Sequence, residues 1–186
     1  MKANRTVTRV LAGLLVVAGL AVTLYPLSTD ARYSWQQGLM AAEAAASPAG
    51  LGGIRLPRGA VARIAIPKIG LKAYVLEGTG REILDQAPGH YPETPLPGDS
   101  GNAAIAAHRT MHGHAFRRLN ELRRGDRIVT WTRAKKAVWR VVWVKAVDPS
   151  KVDVVAPVKG HRLTLTTCHP VGSARQRLVV AAVLER

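Results

Sequence analysis

The sequence predicts a mainly β domain, a closed or nearly closed barrel with one or two short helices, carried behind an N-terminal transmembrane helix. Three observations predict it. Val10 to Thr29 forms a run of 20 residues without a charge behind a basic start. From Ala60 onward, short apolar or alternating stretches are punctuated by Gly and Pro, the pattern of many short strands. Only "HAFRRLNELRRGD" and the pair Ile83–Leu84 show helical spacing within that region.

The N-terminal elements follow from charge and length. Residues 1–9 carry Lys2, Arg5 and Arg9, and 10–29 is long enough to cross the hydrocarbon core, which needs about 20 residues. Positive charge before the span and little after it keeps the N-terminus cytoplasmic and the rest outside. A cleaved signal peptide would need small residues at its cut site, and Thr29 and Ala31 are weak candidates, so a retained anchor is the reading. Residues 30–53 are expected to link anchor and domain. Asp30 to Ala46 can extend as a helix with Trp35, Leu39 and Met40 as a weak apolar stripe, and "SPAGLGG" breaks it. The folded domain is placed at 54–186.

Within the domain, "AVARIAI" closed by Pro67, "LKAYVLEG" ended by Gly78, and "AAIAAH" (103–108) read as strands. "PGHYPETPLPGDSGN" (88–102) reads as an ordered loop because Pro and Gly crowd it. "HAFRRLNELRRGD" reads as a helix, with Phe116, Leu119 and Leu122 on one side and Gly125 as the stop. "DRIVTWT" and "AVWRVVWVKAV" form a pair, with Trp139, Val141 and Trp143 on one face; the Trp139/Trp143 stripe is assigned to the core. "HRLTLTTC" and "QRLVVAAVLE" close the chain as strands.

Lys and Arg outnumber Asp and Glu by 27 to 12, a formal charge of +15. The basic residues are scattered and no nucleic-acid-binding motif is present. A negatively charged membrane face or cell-wall polymer is the partner such a surface suits, not nucleic acid.

A single cysteine, Cys168, excludes an intramolecular disulfide. An exported free thiol meets oxidants without structural benefit, which argues for a chemical role. In "LTLTTC", Leu163 and Leu165 share one strand face while Thr164, Thr166 and Cys168 share the other. A nucleophilic thiol needs a group that favours the thiolate and a donor for the oxyanion. His108 at the end of "AAIAAH" supplies an imidazole. Arg177, nine residues after Cys168, falls where a hairpin returns to the neighbouring strand and brings a fixed cation.

These residues resemble the sortases, and among them the class E type of actinobacteria. The resemblance covers about Ala60 to Glu185 and rests on "IPKIGL", "GTG" before "PGHYPETPLPGDSGN", "AAHRT", "LNELRRGD", "LTLTTC" and "QRLVV". It implies an eight-stranded sortase barrel and cysteine transpeptidase chemistry outside the membrane, without a cofactor. By position it implies Cys168 as nucleophile, His108 as general acid/base and Arg177 as the oxyanion-stabilising arginine, in preference to Arg175. It also implies Thr167 and Arg109 as substrate-binding residues. The implied partners are surface proteins with a C-terminal LAxTG- or LPxTG-like sorting signal and the amine of a peptidoglycan precursor. The absence of a second apolar span argues against the pilin-polymerising type, and "TCHP" with the N-terminal anchor suits class E.

Other constellations are weaker. "HGH" (His112 to His114) with Cys168 and His169 matches no standard zinc spacing. Glu77, Glu82, Asp85, Glu93 and Asp99 form no recognisable calcium loop, so no metal site is expected. His90, Thr94 and Asn102 are assigned structural roles. L,D-transpeptidases and wall peptidases would need a Ser-His-Gly-Cys-like element or Cys before His in chain order, and neither is present. The remaining alternative is a non-catalytic, membrane-tethered binder of anionic wall polymer, which accounts for the charge but not for Cys168, His108 and Arg177 together.

Overall fold

The computed structural model describes residues 2–49 and 53–185. Gly50, Leu51, Gly52 and the two terminal residues lie outside the described residues, so the break expected over "SPAGLGG" is seen only at its ends. The chain begins with one long helix, α1 (Lys2–Ala46), and continues through β1 (Ala60–Ile66), β2 (Leu71–Glu77), the single turn α2 (Arg81–Leu84), β3 (Gly89–His90), β4 (Gly101–Ala106), β5 (Arg127–Trp131), β6 (Lys136–Val147), β7 (His161–His169) and β8 (Gln176–Leu184).

The eight strands close a barrel in the order β1-β2-β3-β4-β7-β8-β6-β5, and β5 pairs back onto β1. Closure leaves no unpaired edge, which suits a sheet built from short strands. The β2–β3 and β4–β7 pairings are parallel and the others antiparallel. Ile64, Ile66, Val75, Ile105, Leu163 and Leu165 fill the interior and are fully buried. Trp139 is buried with them, and its indole N–H donates to Thr130 Oγ1 at 2.8 Å. A buried indole needs such a partner.

Two expectations are corrected. Phe116, Leu119 and Leu122 are fully buried in the core, but no α-helix carries them. The segment runs through turns and the 3₁₀ turn Leu119–Glu121. Their spacing of three matches the 3₁₀ period of three residues per turn. Trp143 leaves the face shared by Trp139 and Val141, because β6 shifts register against β8 between Val141 and Trp143. The extra residue inverts the alternation beyond it, so Trp143 is only half-buried and lies under the Lys145 ammonium, 5.7 Å from its ring centre.

Among the described residues, one helix is long and apolar enough to cross a membrane, and its first part is exposed along its apolar length. From Thr29 onward it docks on the barrel. Thr29, Tyr33 and Ala44 are buried, and Gln37 and Met40 half-buried, at helical spacing along one face. Trp35 and Leu39 point away, 61% and 47% exposed. The docking face is largely polar, which a search for an apolar stripe does not find. Gln37 Oε1 accepts the Tyr74 N–H at 3.0 Å and its amide donates to Gln86 O at 3.3 Å. Glu43 Oε1 accepts the Arg58 N–H at 2.9 Å.

The tightest docking is at "HGH". His112, Gly113 and His114 have φ of 51°, 72° and 38°. Left-handed backbone at a non-glycine residue costs about 1–3 kcal/mol and needs support from its surroundings. Asp30 Oδ1 accepts the Gly113 N–H at 2.8 Å, Asp30 Oδ2 lies 3.2 Å from His114 Nδ1, and the Tyr33 ring covers Gly113. A Cβ on Gly113 would come within 1.9 Å of that ring. Gly113→Val is therefore expected to lift α1 off the barrel. In detergent-held full chain, trypsin should cut after Arg32 several-fold faster than in the wild type while the barrel stays folded; an unchanged cleavage rate would contradict this docking.

Candidate active site

Cys168 sits near the end of β7, the strand between β4 and β8. On the β8 side Cys168 is paired directly with Arg177, and Arg177 Nη1 donates to Sγ at 3.3 Å. Arg175 is exposed before β8 begins. On the β4 side the parallel register aligns Ala106 with Thr166. The chain stays alongside β7 for one further step: the Ala107 N–H donates to Thr166 O at 3.2 Å and the Thr167 hydroxyl donates to Ala107 O at 2.7 Å. His108 is the next residue along this segment. His108, Cys168, Arg177 and Thr167 line one cleft of about 270 Å³ together with Tyr91 and Leu84.

The chemistry of this arrangement is direct. The thiol is half-buried, with a fixed cation in hydrogen-bond contact that stabilises a thiolate. The guanidinium can also donate to an oxyanion. His108 Nε2 contacts Asp85 Oδ1 at 3.1 Å, so a carboxylate orients the ring. His112 lies beside it, its ring centre 5.2 Å away and its Nε2 3.3 Å from the same Asp85 oxygen. Burial holds the His112 pKa below the usual histidine range, opposed by the Asp85 carboxylate.

Arg109 is placed differently from the other expected site residues. It is 3% exposed and does not line the cleft. Its guanidinium donates to Cys168 O at 3.1 Å, contacts His169 Nδ1 at 2.7 Å, and donates to Asn120 Oδ1 at 2.8 Å and Arg117 O at 3.4 Å. Burial pulls its pKa down and the charge of Cys168 pulls it back up. These bonds hold the end of β7 rather than reach outward. Thr167 lines the cleft, but its hydroxyl proton is used on Ala107 O.

The polar face of β7 is covered as well. Thr164 donates to Asn102 Oδ1 at 2.7 Å, and Asn102 Nδ2 donates to Val154 O and Ala156 O, both at 3.0 Å, fixing the segment above the strand. Thr166 Oγ1 lies 3.0 Å from the Tyr91 hydroxyl. Buried His90 joins Glu77 through Nδ1 at 3.0 Å and Pro95 O through Nε2 at 3.0 Å, and Thr94 Oγ1 receives the Ala104 N–H at 3.1 Å. A shallow groove adjoins the cleft, sharing Tyr91, Thr166 and Arg177 with it and lined further by Val152, Val154 and Val179.

The histidines and acids singled out in sequence are distributed among different partners. His114 pairs with Asp30 and His169 with Arg109, so "HGH" does not meet Cys168 and His169 as a set. Glu77 faces His90, Asp99 binds Lys135 at 2.7 Å, and Asp85 serves His108 and His112. Asp85 as the histidine partner, and the valines of the groove, are the residues that sequence reasoning missed. Asp85 is 23 positions from His108 and no local pattern links them. Arg109→Gln is expected to lower the thermal unfolding midpoint, because losing these bonds costs roughly 1–3 kcal/mol, while leaving the KM for a peptide substrate within a factor of a few. A raised KM at unchanged stability would return Arg109 to substrate binding.

Residues 64–185 match the sortase-domain family model. The chain is 36% identical over 131 residues to sortase SrtE1 of Streptomyces coelicolor, covering 62% of this chain and 37% of the relative. It is 30% identical over 119 residues to sortase D of Bacillus subtilis, covering 62% and 59%. The chain thus spans well under two thirds of the length of either. Among solved structures, sortase E1 from Streptomyces coelicolor with a tripeptide in its active site superposes with a TM-score of 0.65 at 32% identity, covering 68% of this chain and 88% of that one. A Clostridium perfringens sortase D5 transpeptidase superposes at 0.63 with 31% identity, covering 68% and 79%.

Proposed function

The chain belongs to the sortase family, and on that premise we propose that it is a membrane-anchored cysteine transpeptidase. It cleaves an LAxTG- or LPxTG-like sorting signal between Thr and Gly and joins the protein to the amine of a cell-wall precursor. The observation that carries this reading is the placement of His108, Cys168 and Arg177 side by side on one cleft.

The Cys168 thiolate attacks the Thr–Gly carbonyl carbon, and Arg177 donates to the oxyanion that forms. Collapse breaks the C–N bond, His108 as imidazolium gives its proton to the departing glycine amine, and a thioester remains on Cys168. The acceptor amine attacks that thioester, His108 takes the amine proton, and the thiolate is released. Asp85 holds Nε2 of His108, which leaves Nδ1 to serve the reacting groups. Thr167 ties β7 to the segment leading into His108, and its cleft-facing surface meets the substrate. Arg109 is a positioning residue that holds the Cys168 carbonyl. The groove of Val152, Val154 and Val179 takes apolar side chains of the signal.

The anchor runs with its N-terminus in the cytoplasm, which places the barrel outside, among surface proteins and wall precursors. The proteins to be sorted and the amine then reach the enzyme at the membrane surface where it is tethered.

Full chain in detergent, incubated with LAxTG and LPxTG peptides separately, is expected to show by intact mass a peptide fragment joined to Cys168. The adduct should disappear on adding an amine as joined product forms, and should be absent in Cys168→Ala. Peptide joining by Cys168→Ala, or a folded wild type that forms no adduct with either peptide while binding anionic wall polymer, would overturn the assignment.

A further inference from the structure

The fold brings together three donor groups that the proposed mechanism does not need as a set. Asp85, His108 and His112 place one ligand atom each within 4.8 Å of one another. Asp85 Oδ1 is 3.1 Å from His108 Nε2 and 3.3 Å from His112 Nε2. Donors on tetrahedral zinc, bound at about 2.0–2.2 Å, stand about 3.3–3.5 Å apart. The two spacings to Asp85 are close to that value before any metal enters, and the two imidazole nitrogens lie within 4.8 Å of each other. Two imidazoles and one carboxylate suit a borderline-soft divalent ion and do not suit calcium or magnesium, which take mostly oxygen.

The surroundings favour occupancy. His112 is aimed by the left-handed "HGH" turn, which α1 holds through Asp30 and Tyr33. Asp85 and His112 also line a cavity of about 480 Å³ between α1 and α2, to which Glu82 contributes. Asp85 and His112 therefore open onto a space from which an ion can reach them. Arg81 lies 3.8 Å from Asp85, but its side chain is 84% exposed and free to withdraw.

We propose that Asp85, His108 and His112 form a zinc site that switches the enzyme off. Zinc on Nε2 of His108 takes the place of a proton, so the ring cannot become the imidazolium that protonates the leaving amine, and Asp85 is diverted to the metal. Chelation releases the ion and restores the ring. The binding stands on the donor set alone, whereas the inhibition rests on the role of His108 in the proposed function.

The test is zinc titration of the detergent-held full chain against a chromophoric chelator. One zinc per chain is expected. His112→Gln and Asp85→Asn, each shown folded by thermal unfolding in chelator, should weaken binding by at least the roughly 10–100-fold that loss of even an outer-shell partner costs. Cys168→Ala should bind as the wild type does. In the same preparation, zinc should stop thioester formation on Cys168 and EDTA should restore it. No stoichiometric zinc in the wild type, unchanged binding in both His112→Gln and Asp85→Asn, or loss of binding in Cys168→Ala would overturn the site. Stoichiometric binding with undiminished thioester formation would overturn the switch. A wild type that forms no thioester even in chelator counts against the transpeptidase reading, while the titration still decides the site.

Discussion

The hydrogen-bond register of β7 against its two neighbours is the constraint on which the rest depends. Pairing with β8 sets Cys168 opposite Arg177, and pairing with β4 leads the chain along β7 into His108, which lines the same cleft as Cys168. A slip of one residue on either side would turn the paired side chains to opposite faces of the sheet. The register is held by groups with no reactive role. Leu163 and Leu165 are buried on the inner face, Thr164 and Asn102 lock the outer face, Thr167 bonds Ala107, and Arg109 grips the Cys168 carbonyl. The barrel therefore acts as the positioning device, and the cleft is a consequence of strand order.

The second constraint comes from outside the barrel. The helix that carries the apolar span continues without a break into a polar docking face. It supports a strained turn two residues beyond the strand-end segment that bears His108 and Arg109. The N-terminal helix thus holds residues 112–114, of which His112 lies beside His108, and the barrel is held against that helix at a defined face. Cys168 lies one strand and Arg177 two strands further from this contact than the segment leaving β4 that bears His108, so a disturbance of α1 reaches the imidazole first.

What was legible in the sequence was local. Alternation placed every strand but β3, whose two residues Gly89–His90 lie in the segment read as a loop, and the nine-residue gap from Cys168 to Arg177 gave a hairpin partner, because both depend only on neighbouring residues and tight turns. The single cysteine on the threonine face of "LTLTTC" pointed to the cleft for the same reason. What was not legible depends on tertiary packing. Asp85 finds His108 only when α2 is laid against the chain leaving β4. The bulge that turns Trp143 outward appears only in the pairing of β6 with β8. The docking face of α1 escaped notice because glutamine, glutamate and aspartate make its contacts, while its apolar residues Trp35 and Leu39 face away. Phe116, Leu119 and Leu122 share a side and are buried, but a spacing of three does not distinguish an α-helix from 3₁₀ turns.

The central claim is that β7 register makes His108, Cys168 and Arg177 one working unit. The most direct measurement is single-turnover acylation of Cys168 in the full chain for wild type, His108→Gln, Arg177→Gln and the double variant. Groups that act as a unit are strongly non-additive, so the account predicts a double variant within about threefold of the slower single variant. Losses that simply multiply would show that the two residues act independently on the thiol, and would contradict the account.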